Sequence, residues 1–327
     1  MNFQATSPRS ALMRVFGASV AGLLTVSLAM MGHGQISVNS PSSGDGRAYA
    51  TRTAAPAARS VIAAAVKPAS ATSRPLIDHK GKIVTNSKTY AIYWGPPTDF
   101  PADLRPAVKA LLSGLNRSAY LATIDQYMRG KTASTTYVRS FSDTSRPPTI
   151  DPTPPVVLAE VRKVLRRAKV RPDPNAVYLV FTSNLPAVDY CAWHASGDVS
   201  GVTTQIALIP NTTASTGCYV PKDFAGVADY SFGTRSMADN AAHELLEAMT
   251  DPVPGTAWVD ANFEEIGDKC DFVYTAPVAL IGSQNVWQLQ SQWSNQASSC
   301  VQAGVVRQVP SSSRPHRPSH SKHASSK

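Results

Sequence analysis

Residues 154–181 read PPVVLAEVRKVLRRAKVRPDPNAVYLVF, and this stretch decides the fold. Pro154 and Pro155 open a helix, because a proline in the first turn gives up only an amide that has no intrahelical partner. Val157, Leu158, Val161, Val164, Leu165 and Ala168 recur at helical spacing as one apolar stripe, while Arg162, Lys163, Arg166, Arg167 and Lys169 fill the opposite face. Such a face is a candidate for an anionic partner, although a solvated surface has the same composition. Ala176 to Phe181 is then an unbroken apolar run, the pattern of a strand covered on both sides of a sheet. Strands and amphipathic helices that alternate predict an α/β fold, a mixed sheet with flanking helices.

Outward from this stretch the same alternation continues. Residues 89–94 (TYAIYW) are β-branched and aromatic and stop at Gly95-Pro96-Pro97, which predicts a strand. Leu104, Val108, Leu111, Leu112 and Leu115 mark a helix, and residues 121–128 a second, short one. Residues 137–141 read as an edge strand and residues 205–209 as another strand.

The ends have a different composition. Arg9 and Arg14 precede an apolar stretch over residues 15–31, and Gly32-His33-Gly34 offers a small-x-small cleavage pattern, so residues 1–34 read as a signal peptide cut after Gly34. An uncleaved anchor is the alternative, but about 17 residues containing Gly and Ser sit at the short limit for spanning a bilayer. Residues 35–75, rich in Ala, Ser and Pro, read as a disordered linker, and residues 305–327 as a disordered basic tail. The folded part is thus expected over residues 76–304. Of the net charge of +9, the first 75 residues hold +6 and the last 23 hold +5, which leaves the core at −2. The alkaline character belongs to the tails and marks no nucleic-acid groove. No other stretch is apolar enough to span a membrane, so no stable insertion is expected after cleavage. The mature product is expected to be secreted or periplasmic.

Four cysteines, Cys191, Cys218, Cys270 and Cys300, all lie in the core, and an even count fits disulfides outside the cytoplasm. The sequential pairing closes two loops of about 30 residues, each worth on the order of 3–4 kcal/mol in the chain-entropy account. Cys191-x-x-His194 could instead be half of a metal site, but no second pair at zinc-finger spacing accompanies it.

Chemistry concentrates in one region. The chain has five glutamates, and Glu244, Glu247, Glu264 and Glu265 lie within 22 residues, beside one of three core histidines. Residues 236–249 (SMADNAAHELLEAM) predict a helix with Ser236 as N-cap and Asp251-Pro252 as its end. His243 and Glu247, four apart, project from one face, with Glu244 beside them. In a zincin-type helix two ligands one turn apart grip the metal, and the intervening Glu takes a proton from the water that the metal activates. Here H-E-x-x-E replaces H-E-x-x-H, with a carboxylate as the second ligand. The acidic turn at residues 264–268 supplies the third, Glu265 first and Asp268 second. A solvated surface helix carrying His and Glu is the plain alternative.

Several motifs together resemble the EXORDIUM, or phosphate-induced protein, family of plants and its bacterial relatives. They are Ile92-Tyr93-Trp94-Gly95, residues 177–183 (VYLVFTS), Cys191 with His194, His243-Glu244-Leu245 with Glu247, Asp251-Pro252, Ala257-Trp258, residues 265–270 (EIGDKC) and Cys300. Trp193 departs from the glycine common there. The resemblance implies a secreted, wall-associated protein, and because other members lose the helix motif it does not by itself imply catalysis. The residues and the resemblance together give the expectation of a secreted metal-dependent hydrolase, peptidase-like. It would use zinc, with His243, Glu247 and Glu265 or Asp268 as ligands, Glu244 as base, and Trp258 and His194 shaping the substrate cleft. The alternative is a non-catalytic binding protein. An extracellular protein or a cell-wall polymer is the expected partner, and the sequence does not reveal an oligomeric state.

Overall fold

The central apolar run forms the middle of a six-stranded mixed sheet. The computed structural model describes residues 50–53, 74–215, 217–218, 220, 230–281 and 286–304. The export segment at residues 1–34 and the basic tail at 305–327 lie outside the described residues. Within them the sheet strands are β1 (Ala50–Thr53), β2 (Asn86–Trp94), β3 (Ser134–Asp143), β4 (Ala176–Thr182), β5 (Tyr190–Val199) and β6 (Val202–Ile209). Their order is β1-β5-β6-β4-β2-β3. β4 pairs parallel with both β2 and β6, and all seven of its residues are buried, as its composition requires. β3 closes one edge, also parallel.

Three long helices cover the sheet: α1 (Leu104–Gly114), α2 (Pro154–Ala168) and α3 (Phe232–Thr250). Side chains alternate along each strand. Ile92, Tyr178, Val180, Trp193 and Leu208 meet Val157, Val161 and Leu165 of α2. Tyr93, Leu179, Phe181, Ala192 and Ala207 form the other core layer with α1 and α3. α2 stops where Lys169 turns left-handed (φ 54°). Its basic face is partly used at home. Lys163 pairs with buried Asp143 at 2.7 Å and Glu160 at 2.6 Å, and Arg167 reaches Asp143 at 3.4 Å.

Four findings correct the sequence-based picture. Residues 121–127 form a 3₁₀ helix rather than an α-helix. α3 begins four residues before the predicted cap: Ser231 accepts the amide of Thr234, and Ser236 lies one turn inside, bonded to Thr212. Residues 50–53, inside the stretch read as linker, form β1 and pair antiparallel with β5, so a sheet edge recruited a segment too polar to be expected there. Finally, β5 itself carries no alternating signature, because both of its faces are covered. It pairs antiparallel with β6 through a two-residue turn at Ser200 and Gly201. Both turn residues have positive φ, 55° and 84°, as this tight hairpin demands.

Candidate metal centre

α3 is buried on nearly every side, from Gly233 to Thr250, because the chain after it folds back over the helix. Ionisable side chains on such a helix face protein, not water. His243 and Glu247, one turn apart, meet at 3.1 Å between Nε2 and Oε2. The returning segment, residues 264–268, lies against the same turn, fastened by the Cys270–Cys300 disulfide and by the amide of Trp293 donating to the carbonyl of Ile266. The second disulfide, Cys191–Cys218, fastens β5, so both sequential pairings are present.

Gly267 is the hinge of the approach. A Cβ there would stand 2.7 Å from Cε1 and Nδ1 of His243 and 2.8 Å from Oε1 of Glu247, so only glycine fits. The amides of Gly267 and Asp268 both donate to Glu247 Oε1 at 3.1 Å, which leaves Oε2 facing the histidines. Asp268 Oδ1 lies 3.5 Å from His243 Nε2. Glu265, on the other side of Gly267, puts Oε1 3.6 Å from Nε2 of His194 instead. The third group beside His243 is therefore Asp268, the second choice from sequence, and Glu265 belongs to the second imidazole.

His194 enters from β5, opposite Ala207 on β6. Its Nε2–H donates to the carbonyl of Asp251 at 3.1 Å. That turn is rigid, because the Asp251 carboxylate accepts the amides of Gly255, Thr256 and Ala257. With its proton on Nε2, the neutral ring presents a lone pair at Nδ1, 3.3 Å from Glu244 Oε2 and 3.6 Å from Glu247 Oε2. His194 is thus a member of the cluster rather than a wall of a cleft. Trp258 is packed edge-on against Tyr127 with ring centres 5.1 Å apart, in a two-residue strand paired with Ile77–Asp78. No contact of this indole supports the substrate role expected of it.

Two further residues, silent in the sequence, support the centre. Gln290 Nε2 donates to His243 Nδ1 at 2.9 Å and to the carbonyl of Gly267 at 2.8 Å. Its own amide donates to Asp239 Oδ1 at 2.7 Å, and Asp239 also receives the Tyr274 hydroxyl. A glutamine gives no local pattern to find; only the fold brings it here.

The electrostatics are those of a charge cluster removed from water. Burial disfavours charge on either ring, yet Glu265, Glu244 and Glu247 around His194, and Glu247 and Asp268 around His243, raise both well above the usual histidine range. Burial pushes Glu244 up to about 7, and lifts Glu265 and Asp268 above the normal carboxyl range. Glu247 is equally buried, but His243 and His194 hold it below that range. His243 Nε2, Glu244 Oε1, both oxygens of Glu265 and Asp268 Oδ1 are buried and make no hydrogen bond. Buried polar atoms are nearly always paired, so this concentration demands a cause.

A cation is a sufficient cause. Two donors each about 2.0–2.2 Å from a tetrahedral ion stand roughly 3.3–3.6 Å apart. The contacts in this cluster run from 3.1 to 3.6 Å. Two triads have donor atoms mutually within 4.8 Å: His194, Glu244 and Glu247, and His243, Glu247 and Asp268. The chain matches no protein-family model, and no curated protein is significantly similar to it. The resemblance to the EXORDIUM family accordingly rests on the motifs quoted above.

Proposed function

We propose that this chain is an exported metal-dependent hydrolase, peptidase-like, built on a zincin-like helix. The observation that carries the reading is the convergence of His243, Glu247 and Asp268, in which His243 Nε2 and Asp268 Oδ1 are buried without a hydrogen bond. A divalent ion with this nitrogen and oxygen set, zinc foremost, polarises water and a carbonyl when bound. His243 Nε2, Glu247 Oε2 and Asp268 Oδ1 would hold the ion. Gln290, whose Nε2 stands 2.9 Å from His243 Nδ1, would hold that ring in position for the ion. Glu244, with a carboxyl titrating at about 7, is the base that removes a proton from the attacking water. Asp268 keeps 13% side-chain exposure while the two histidines, Glu244 and Glu247 keep at most 1%, so substrate approaches from the Asp268 side.

Export is supported by the two disulfides, and among the described residues no helix is long and apolar enough to cross a membrane. The proposed substrates are therefore extracellular proteins or wall polymers.

A second reading has its own observation. Near-complete burial is the mark of a closed, structural ion site rather than an open catalytic one. The protein would then be a non-catalytic, wall- or envelope-associated binding protein that the ion stiffens. Metal analysis and peptidase assays on purified protein separate the two. Under the hydrolase reading the wild type carries stoichiometric metal and hydrolyses peptide substrates, and Glu244→Gln keeps metal at His243 but loses hydrolysis. Metal without hydrolysis in the wild type selects the structural ion, and a wild type without metal ends both readings.

A further inference from the structure

Of the second triad, His194 has no part in the reaction just described. His194 spends its Nε2–H on the Asp251 carbonyl, so its Nδ1 lone pair faces Glu244 Oε2 and Glu247 Oε2. In the neutral ring these three acceptors face one another, so the place that the second ring proton otherwise fills also suits a cation. Donation of the outer ring nitrogen to a backbone carbonyl is also how metal-ligating histidines are oriented. Glu244 Oε1 and both oxygens of Glu265 are buried here without a hydrogen bond.

We infer that the centre holds two divalent cations that share Glu247 Oε2, the second bound by His194 Nδ1 and Glu244 Oε2. The inference rests on the proposed metal-dependent reading and extends it. Glu247 is built for sharing, because backbone amides occupy Oε1 and leave Oε2 near both rings, 3.1 Å from His243 and 3.6 Å from His194. Charge points the same way. Fully ionised, Glu244, Glu247, Glu265 and Asp268 would bring four negative charges, which two dications would cancel. Asp251 needs no ion, since three backbone amides satisfy it. Paired ions about 3.5–4 Å apart are a known device for stabilising both the attacking and the leaving oxygen. Glu244, bound through Oε2, keeps Oε1 as its basic oxygen.

The test is zinc stoichiometry by mass spectrometry of the disulfide-intact protein, together with electron paramagnetic resonance of the manganese-loaded form. Two equivalents are expected in the wild type, falling to one in both His194→Ala and His243→Ala, with spin coupling between manganese ions in the wild type only. His194→Gln, which retains most of the side-chain volume, serves if the alanine variant does not fold, and near-UV circular dichroism reports folding. One equivalent in the wild type that survives loss of His194 overturns the second site and leaves the His243 ion standing. One equivalent lost with His194 but kept without His243 overturns the shared pair and the proposed ligand set together. No metal in the wild type overturns both, and protons shared between the imidazoles and the carboxyls then account for the cluster.

Discussion

Replacing Gly267 by alanine tests the centre without touching any proposed ligand. The backbone there is ordinary, φ −79° and ψ −44°, so alanine carries no conformational penalty and the cost is steric alone. The new methyl would lie 2.7 Å from the His243 ring and 2.8 Å from Glu247 Oε1. Ordinary contact begins near 3.4 Å, so ring and carboxylate must retreat by about 0.7 Å, or the 264–268 segment must lift. Either movement strains a closely packed site, at about 1–3 kcal/mol for overpacking of this kind. For a domain of this size that lowers Tm by about 2–12 °C, at roughly 2–4 °C per kcal/mol. The same shift weakens the two amide bonds that aim Glu247, and metal affinity should fall about 10–100-fold, as when supporting partners of a ligand are lost. Thermal unfolding with and without EDTA, and competition of zinc against a chromophoric chelator, measure the two effects. A Gly267→Ala protein with wild-type Tm and wild-type metal affinity would refute the packing described for this turn.

The metal-free protein should lose stability as pH rises. A carboxyl whose folded pKa lies above its unfolded value stabilises fully below the unfolded pKa, and that contribution disappears as pH climbs to the folded one. For Glu244 the window runs from 4.5 to about 7, and the raised histidines extend the trend upward. Urea titrations from pH 5 to 8 check this, and saturating zinc should flatten the slope while calorimetry in two buffers records proton release. Asp143 behaves oppositely. Burial raises its carboxyl, but hydrogen bonds from Lys163 and Ser145 overcome this and hold it well below the usual range, so its contribution is present above about pH 4 and lost as pH falls. Asp143→Asn should cost about 1–3 kcal/mol at neutral pH and leave metal content unchanged, since the buried carboxylate's charge-assisted bond to Lys163 is lost. Removing Cys270 and Cys300 together, which opens a loop of 30 residues, should cost about 3–4 kcal/mol in chemical denaturation. Metal affinity should fall with it, and removal of Cys191 and Cys218 should loosen the His194 side.

Local patterns made most of the sheet legible. The unbroken run in β4 could only be a covered central strand, and the proline pair and apolar stripe of α2 left no other reading. β5 escaped because Tyr190, Cys191, Trp193 and His194 are covered on both faces, so no period of two survives. β1 escaped because its pairing depends on the exposed edge of β5, which local composition does not encode. At the centre, the four-residue spacing of His243 and Glu247 was sufficient for one pair. The choice between Asp268 and Glu265 was not legible, because it depends on which way the chain turns at Gly267. His194 and Gln290 lie about 50 residues before and after His243, and only tertiary folding brings them there.

The centre draws on residues 194, 243–247, 265–268 and 290, and one disulfide clamps each of its two returning segments. None of these stretches holds a complete set of donors, so a nascent or reduced chain has little with which to capture an ion. Under the metal-dependent reading, the ion would be chosen in the compartment where the chain oxidises and closes, from whatever cations that compartment holds. Binding strength alone would favour copper over zinc at a nitrogen and oxygen site. Late assembly replaces that ranking with one set by local supply, so protein refolded from a denatured state is expected to reflect the contents of the refolding buffer.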